Sequence, residues 1–316
     1  MTESVPPLES PVGQSAPAHP GTPAPAVVSV IMPFLDVAPY LEEAIESVRA
    51  QTYPRWELLL CDDGSTDGST DIARRYAALD PSRIRHLTHA NGGTHGASAT
   101  RNLGIAAARG EVIALLDGDD VWFPTKLEEQ LAILAERPDA DALYGVTELW
   151  YGWTGAPDDA ARDSRPSGGI PSNTLLAPRA LLAGMLRREL LVPCTCSIVV
   201  RTDAVRRSGG FVDEFRHIYT DVAFYSRLSL VASVLYVERC WDRYRRHPTS
   251  AYSEVQRRGE GREARLRWLT WLDRYLDSTD ARDDRELRVA VRASLRRVRY
   301  PRLFGVIDRL RGGLRR

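Results

Sequence analysis

Residues 111–122 read Glu-Val-Ile-Ala-Leu-Leu-Asp-Gly-Asp-Asp-Val-Trp, a short apolar run that ends in acids. The apolar run is typical of a buried strand, which would deliver Asp117, Asp119 and Asp120 to the edge of a sheet. Closely spaced carboxylates repel one another unless a positive charge lies among them. A divalent cation that holds a diphosphate meets this need, because hard cations take oxygen ligands and bridge phosphates. The alternative is a plain acidic turn, since Asp and Gly are ordinary turn residues.

The composition of the 316-residue chain is that of an ordinary globular protein, with 43% hydrophobic and 27% charged residues. This length allows one large domain or two modest ones. The formal net charge is zero, from 42 basic and 42 acidic residues, which argues against a nucleic-acid-binding protein. No apolar stretch approaches the roughly 18 residues of a membrane span, and the N-terminus lacks the pattern of a secretory signal. We therefore expect a cytoplasmic location.

The four cysteines are Cys61, Cys194, Cys196 and Cys240. Cys61 ends an apolar run, which predicts a buried thiol. Cys194-Thr-Cys196 lacks the second cysteine pair or the histidines that zinc sites show in sequence. We therefore expect four free thiols in a reducing compartment.

Strands and helices alternate from Val27 onward, after a proline-rich segment over 1–26 that we predict to be disordered. The predicted strands are 27–32, 56–61, 84–88, 112–116 and 140–150, and the predicted helices are 39–50, 69–78, 97–108 and 124–135. Ser69 or Thr70 is the expected N-cap of the second helix, and Gly110 the expected C-cap of the third. This alternation predicts a parallel sheet covered on both faces, whose ligands bind beyond the carboxyl ends of the strands.

The alternation ends after Trp153. Residues 154–173 are expected to form a mobile loop, followed by a strand over 197–200, a helix over 220–229 and a strand over 234–237. From Tyr252 the pattern is helical and rich in arginine. Residues 281–316 contain 12 arginines and four acids, with apolar residues among them (Leu303, Phe304, Val306, Ile307 and Leu310). This segment is either a membrane-surface helix or, as we favour, a helix packed on the domain with its arginines in solvent.

Four segments carry the chemistry. They read Ser29-Val-Ile-Met-Pro33, Cys61-Asp62-Asp63-Gly64-Ser65-Thr66-Asp67, Arg101-Asn102-Leu103-Gly104-Ile105 and Asp117-Gly118-Asp119-Asp120. In order, spacing and context they resemble the family 2 glycosyltransferases, which have the GT-A fold. The resemblance covers about residues 27–250. Further matching segments are Gln51-Thr52-Tyr53, Gly209-Gly210-Phe211-Val212-Asp213-Glu214, Thr220-Asp221 and Tyr244-Arg245-Arg246-His247-Pro248-Thr249-Ser250.

The resemblance implies an α/β protein of the GT-A type, with a mostly parallel central sheet covered by helices. It implies a nucleotide-sugar-binding half over 27–122 and an acceptor half over 123–250. Residues 251–316 would then form an arginine-rich helical C-terminal extension.

The resemblance also implies the donor and metal sites. Asp119 matches the acid that holds Mn²⁺ or Mg²⁺ on the diphosphate, and Asp117 matches the acid that contacts the ribose and the metal shell. His247 would complete the metal or diphosphate site. Asp63 matches the residue that binds the base, usually uracil. The other donor-binding positions are Pro33, Phe34, Asp36, Asp62, Arg101 and Gly118.

Structural roles remain open for several of these residues. The run 62–65 is also typical of a turn whose side chains cap its own backbone. Arg101 would be a solvated charge in most helices, and His247 an ordinary structural histidine. Asp120 is expected to support the turn rather than to bind ligand.

The first strand departs from the family pattern. Family members commonly have an aromatic residue and an asparagine after it, where this chain has Leu35 and Asp36. Leucine cannot stack on a base, so Phe34 would have to take that place. The identity of the base is therefore less well specified than in the family at large.

Asp221 matches the general base of the family. An inverting transfer needs a carboxylate near the acceptor hydroxyl, and a well-placed base contributes roughly 10²–10⁴-fold to the rate. The structural alternative is an N-cap for the helix that follows. The chain has Thr220-Asp221 where the family has two acids, so a single carboxylate remains there.

The resemblance predicts an inverting, metal-dependent glycosyltransferase that moves a sugar from a nucleoside-diphosphate sugar, UDP-linked, to an acceptor hydroxyl. The alternatives are a nucleotidyltransferase, which usually has a glycine-rich basic loop after the first strand, and a non-catalytic nucleotide-sugar-binding module. The acceptor stays open among glycans, lipid-linked sugars and small molecules. Trp150, Tyr151 and Trp153 would stack on an acceptor or pack in the core. A membrane-proximal acceptor would place the C-terminal arginines at the inner face of the membrane.

Overall fold

The computed structural model describes residues 27–301. Nine strands form one sheet in this part of the chain: β1 Val28–Phe34, β2 Trp56–Asp62, β3 Ile84–Thr88, β4 Val112–Leu115, β5 Val121–Trp122, β6 Ala142–Trp150, β7 Thr174–Leu176, β8 Val199–Arg201 and β9 Val234–Arg245. The helices are α1 Ala38–Arg49, α2 Ser69–Leu79, α3 Ala97–Ala107, α4 Lys126–Glu136, α5 Pro157–Ala160, α6 Ala180–Arg187, α7 Thr202–Ser208, α8 Thr220–Val231, α9 Ala251–Arg258, α10 Gly261–Asp277 and α11 Arg285–Arg299.

The first half of the sheet is parallel, in the order β3-β2-β1-β4. Its strands are nearly continuous apolar runs because helices cover both faces. Phe34 pairs in register with Asp62, and Asp62 with Thr88, so these strands end at one edge. The predicted carboxyl edge of the sheet is therefore present. The turn after β4 that contains Asp117, Asp119 and Asp120, called the acid turn below, lies at this edge.

The second half of the sheet is mixed, with the order β4-β8-β6-β9-β5. Strand β8 is antiparallel to both β4 and β6, whereas β6 and β9 are parallel. Because β8 runs against β4, the residues just before β8 lie at the same edge as the acid turn. The α/β class and the GT-A-like arrangement are as predicted, with antiparallel strands added in the second half.

Two predicted helix caps are wrong. The N-cap of α2 is Gly68, with a φ of 100°, and Ser69 is the first helical residue. The C-cap of α3 is Ala108 rather than Gly110. Gly110 instead lies against β1, where an added Cβ would come within 2.6 Å of the carbonyl oxygen of Val27. Glycine is required there by close backbone approach.

Two other boundaries differ from prediction. The strand expected over 234–237 extends to Arg245, because its second half pairs with β6 and β5. The loop expected over 154–173 contains the short helix α5 and a bridge between Leu149 and Ser164. Neither pairing is visible in local periodicity.

The C-terminal helices pack on the body of the protein. Trp268, Leu269 and Leu272 of α10 and Val291 of α11 are buried in the same core as the second half of the sheet. The arginines on the opposite face of α11 are exposed, namely Arg285, Arg292, Arg296 and Arg299. The prediction that α11 packs on the domain is therefore confirmed. The apolar residues from Leu303 to Leu310, like the segment 1–26, lie outside the described residues.

Within residues 27–301, no helix combines the length and the apolar character needed to cross a membrane.

Candidate active site

The centre of the candidate site is a buried arginine that links three segments. Arg101 of α3 donates one hydrogen bond to Oδ1 of Asp117 at 2.5 Å and another to Oγ1 of Thr220 at 3.1 Å. Its guanidinium also lies over the ring of Phe211, 5.2 Å from the centroid. The side chain is buried, so the alternative of a solvated surface charge does not apply. Arg101 instead positions the acid turn against the start of α8.

Asp119 and His247 form the second part of the site. Oδ2 of Asp119 lies 3.0 Å from Nε2 of His247, and Nδ1 of His247 lies 2.8 Å from Oγ1 of Thr249. The imidazole is buried against the ring of Tyr40, whereas the side chain of Asp119 is 19% exposed. The carboxylate of Asp119 is therefore partly open to solvent, and the buried histidine contacts it from the protein side.

Asp221 lies in the first turn of α8. Its Oδ1 accepts a hydrogen bond from the backbone N–H of Val222 at 2.8 Å. The N-cap of α8 is Tyr219, with a φ of 61°, so the predicted alternative of Asp221 as the N-cap does not apply. Burial and the negative charge of Asp117 raise the pKa of the Asp221 carboxyl, while the Val222 N–H and Arg101 oppose this. The φ of Tyr219 lies in the left-handed region of backbone conformation. That conformation costs a non-glycine residue about 1–3 kcal/mol, and residues strained in this way cluster at functional sites.

These contacts place Asp221, Arg101, Asp117, Asp119 and His247 along one edge of the sheet. Arg101 acts electrostatically on both Asp117 and Asp221, and Asp117 acts on Asp119. Five charged or polar side chains from four distant segments therefore meet in one place.

Asp63 is buried near this line and holds the start of α3. Its Oδ1 accepts hydrogen bonds from the N–H of His95 at 2.7 Å and from Oγ1 of Thr100 at 2.9 Å. Its Oδ2 accepts from the N–H of Gly96 at 2.9 Å, which leaves this oxygen one further lone pair. Asp63 thus fixes the loop before α3 while retaining capacity for one more donor.

Asp62 organises the turn after β2. Its Oδ1 accepts from the N–H groups of Gly64 and Ser65, and its Oδ2 accepts from Oγ1 of Thr70 at 2.5 Å. Burial raises the pKa of the Asp62 carboxyl, but His86, Thr70 and Ser65 outweigh it through hydrogen bonds, so the pKa is lowered. A surface cavity of about 480 Å³ opens beside this turn, lined by Asp62, Gly64, Ser65, Thr88, His89 and Gly93 among others.

The predicted donor residues of the first strand have structural roles here. Pro33 accepts a hydrogen bond from the N–H of Gly118 at 3.3 Å. Phe34 is buried, with its ring centroid 6.3 Å from that of His86, so it does not replace the missing aromatic residue at Leu35. Gly118 packs against Phe34, where an added Cβ would lie 3.0 Å from the Cβ of the phenylalanine.

Asp36 closes the loop that follows β1. It has a φ of 51°, its Oδ1 accepts from the N–H of Thr66, and its own N–H donates to Oγ of Ser65. Asp36 thereby ties this loop to the turn after β2 and keeps the two strand ends together.

Arg245 is a site residue that sequence reasoning quoted in a motif but did not assign. It donates to the backbone oxygen of Asp119 at 2.8 Å and to Oε2 of Glu43 at 2.6 Å. Its guanidinium lies within 5.5 Å of the ring centroids of Tyr40, Trp150 and Trp153. Trp150 and Trp153 therefore pack on a buried cation. An arginine among aromatic residues in the motif was the signal for this role.

The donor atoms at the acid turn suit a hard cation. Carboxylate oxygen and imidazole nitrogen are ligands that Mn²⁺ accepts, and carboxylate oxygen suits Mg²⁺. In the described part of the chain, however, Asp117, Asp119 and His247 do not bring three donor atoms within 4.8 Å of one another. Asp117 is 28% exposed and shares one oxygen with Arg101. The structure thus brings together the pair Asp119–His247, and oxygen atoms of a ligand would have to complete a metal shell.

Known proteins resemble this chain in sequence and in fold. The sequence profile of glycosyl transferase family 2 matches residues 29–204, more than half of the chain. The chain belongs to glycosyl transferase family 2.

One curated relative is the UDP-Glc:alpha-D-GlcNAc-diphosphoundecaprenol beta-1,3-glucosyltransferase WfgD of Escherichia coli. It is 38% identical over 125 residues, which cover 39% of this chain and 46% of WfgD. The chain matches less than half of the length of WfgD and of the other curated relatives compared with it.

Solved structures show the same fold. S. aureus TarS 1-349 in complex with UDP-GlcNAc superposes with a TM-score of 0.63 at 19% identity, over 83% of this chain and 70% of TarS. The mannosyltransferase PcManGT of Pyrobaculum calidifontis, in complex with GDP-Man and Mn²⁺, has a TM-score of 0.57 at 17% identity, over 87% of this chain and 74% of PcManGT. At these identities the likeness concerns the fold alone.

Proposed function

We propose that this protein is an inverting glycosyltransferase that moves a sugar from a UDP-sugar to an acceptor hydroxyl with the help of Mn²⁺ or Mg²⁺. The observation that carries the proposal is the line of Asp221, Arg101, Asp117, Asp119 and His247 at the carboxyl edge of a family 2 sheet. Asp221, at one end of this row of side chains, can act as a base. Asp119 and His247, at the other end, can bind a metal ion that holds the diphosphate. A nucleotidyltransferase gains no support, since the residues after β1 are neither glycine-rich nor basic.

Asp221 is the proposed general base. In an inverting transfer the acceptor oxygen attacks the anomeric carbon, the bond to the diphosphate breaks, and the hydroxyl proton passes to the base. A carboxylate with a raised pKa is a stronger base than an ordinary aspartate, and burial beside Asp117 provides that shift. Arg101 holds Asp117 and Thr220 at a fixed spacing, which aligns the base with the acid turn.

Asp119 and His247 are the proposed protein ligands of the metal, with Asp117 beside them for the ribose and the metal shell. When bound, the cation supplies charge to the departing nucleoside diphosphate and orients it. The hydrogen bond between His247 and Thr249 fixes the orientation of the imidazole ring, as second partners of metal ligands commonly do.

The base of the nucleotide is proposed to bind beside the turn after β2. The cavity at Asp62, Gly64 and His89 lies beyond the carboxyl ends of β2 and β3, where such sheets hold ligands. The free lone pair on Oδ2 of Asp63 would accept the N–H of uracil. A UDP-linked donor is supported by WfgD, which is named for UDP-Glc, and by TarS, which was solved with UDP-GlcNAc, whereas PcManGT was solved with GDP-Man.

Replacement of the base gives the sharpest test. We expect Asp221→Asn to lower kcat by roughly 10²–10⁴-fold while UDP binding stays within about twofold of the wild type. Donor hydrolysis and transfer to a panel of sugar, lipid-linked and small-molecule acceptors would be measured together with calorimetric UDP binding. Asp203→Asn is the matched control, since it changes an exposed aspartate in the first turn of α7. Retained turnover in Asp221→Asn would reject the assignment.

The proposed partners are a nucleotide sugar, a hydroxyl acceptor and the inner face of a membrane. The exposed arginines of α11 form a basic face, and each basic side chain near an anionic bilayer contributes about 1 kcal/mol. We expect the full chain to cosediment with vesicles that contain anionic lipid and to dissociate at high salt. Arg292→Glu with Arg296→Glu should weaken this binding, and Arg206→Glu with Arg207→Glu on α7 should not. Equal binding to neutral vesicles would exclude the contact.

A further inference from the structure

A second group of ligating side chains lies behind the acid turn. The carboxylate of Asp120 and the sulfurs of Cys194 and Cys196 all lie within 4.8 Å of one another, and the two sulfurs are 3.1 Å apart. Asp120 is 1% exposed and Cys196 is fully buried, whereas Cys194 is partly exposed. Within residues 27–301, no other three His, Cys, Asp or Glu side chains come as close together. The group thus has two soft donors, one hard donor and a route from solvent through Cys194.

The charge around Asp120 is unbalanced. Its Oδ1 accepts one hydrogen bond from the backbone N–H of Arg245 at 2.9 Å. In the described part of the chain, no lysine, arginine or histidine pairs with Asp120 within 4.0 Å. Burial of a carboxylate without a positive partner is costly, so the site favours a cation.

The neighbouring lysine does not supply this charge. Nζ of Lys126 lies 3.7 Å from Oδ2 of Asp242 and donates to the backbone oxygen of Ser197 at 3.0 Å. Asp242 therefore balances Lys126. Oδ1 of Asp242 is turned to the cysteines, since it accepts from Sγ of Cys196 at 3.3 Å. The Asp242 carboxylate therefore lies next to Cys196 but outside the group of three donor atoms.

We propose that Cys194, Cys196 and Asp120 form a binding site for a thiophilic divalent cation of the zinc class, separate from the hard-cation pair Asp119–His247. Two cysteine sulfurs and a carboxylate are a zinc donor set, and a water molecule can take the fourth position of a tetrahedral shell. Mg²⁺ and Mn²⁺ prefer oxygen ligands and would not compete for the sulfurs. The two sites therefore select different ions.

Metal binding at this site replaces two sulfur–hydrogen bonds with two sulfur–metal bonds, and both thiol protons pass to solvent. Burial raises the pKa of the Cys196 thiol, so the sulfur is protonated until a cation compensates its charge. Two thiolates and the Asp120 carboxylate then face two positive charges. The ion would tie the turn that carries Asp119 to the segment before β8, and so fix the acid turn from behind.

Cobalt spectroscopy tests the proposal. The full, reduced chain would be titrated with Co²⁺ in excess Mg²⁺, which occupies the hard-cation site. We expect about one equivalent of Co²⁺ to produce a sulfur-to-cobalt charge-transfer band, which the Asp119–His247 pair cannot give, and Zn²⁺ to abolish it. Cys194→Ser with Cys196→Ser should remove the band, and Cys240→Ser should keep it. No band in the wild type, or an equal band in the double variant, would overturn the proposal.

A second measurement does not depend on the variants folding. Alkylation of Cys194 in the native wild-type chain, followed by mass spectrometry of its peptide, should slow on the order of tenfold or more in Zn²⁺, because the metal removes the free thiolate. The rate for Cys240 should stay unchanged and provides the internal control. Equal rates for Cys194 with and without Zn²⁺ would exclude a metal at these sulfurs.

Discussion

The aspartates at the carboxyl edge of the sheet differ in the groups that each one contacts. Asp62 is saturated by hydrogen bonds from its own turn, and Asp117 is paired with Arg101. The side chain of Asp119 is partly exposed, and Asp221 lies close enough to Asp117 to be affected by its charge. Burial raises the pKa of Asp117 and Asp221, whereas hydrogen bonds lower the pKa of Asp62, so carboxylates of one residue type acquire separate roles.

The raised pKa of Asp221 predicts the acid limb of the pH–rate profile. A general base acts only when it is deprotonated. We therefore expect kcat/KM to have its full value at pH values above the pKa of Asp221 and to fall as the pH decreases through that pKa. Burial and Asp117 place this limb above about 3.9, the value of an ordinary aspartate. Initial rates from pH 4 to pH 8 (about the range over which the fold is expected to hold) would be compared with the residual rate of Asp221→Asn, which should lack the limb. An identical limb in the variant would assign it to another group.

At the scale of the element, α3 connects the parts of the site. Successive residues of one helical turn face different partners: Thr100 contacts Asp63, Arg101 contacts Asp117, and Asn102 donates to the backbone oxygen of Phe211. One turn later, Gly104 rests on the sheet. The helix therefore sets the distance between the base cavity, the acid turn and the start of α8.

Gly104→Ala should destabilise the fold by about 1–3 kcal/mol, the usual cost of overpacking. An added Cβ would lie 2.6 Å from Cγ2 of Ile31 and 2.7 Å from Sγ of Cys61, so α3 would have to move away from the sheet. Urea denaturation followed by circular dichroism would measure the change. Gly261→Ala is the control, because its nearest neighbour is a flexible glutamine side chain at 3.9 Å. A variant at position 104 as stable as the wild type would show that α3 is not tightly seated.

At the scale of the whole molecule, the site lies where the parallel and the mixed halves of the sheet meet. Strand β4 brings the acid turn, and β9 ends beside it at Arg245 and leads to His247. Ligand binding at this junction should stabilise both halves together, because each half contributes side chains to it.

A thermal-shift comparison of nucleoside diphosphates tests this expectation for the whole molecule. UDP with Mn²⁺ should raise Tm more than UDP alone or GDP with Mn²⁺, and at 100 times Kd the stabilisation is about 2.7 kcal/mol. Asp119→Asn should lose the contribution of Mn²⁺ and keep that of UDP alone. A larger shift with GDP would contradict the proposed donor, and shifts that ignore Mn²⁺ would contradict the proposed metal.

Three features could be predicted from the amino-acid sequence: the alternation of strands and helices, the sheet edge that carries the aspartates, and the family. All three depend on local periodicity and on short motifs. Other features are visible in the folded structure alone: the burial of Arg101 and Phe34, the continuation of β9 to Arg245, and the proximity of Asp120 to Cys194 and Cys196. Each of these depends on pairing between residues far apart in the chain, and local patterns carry no information about which distant side chain completes a contact. The zinc ligand set illustrates the difference, since two cysteines at close spacing gain their third ligand only when β8 folds antiparallel to β4.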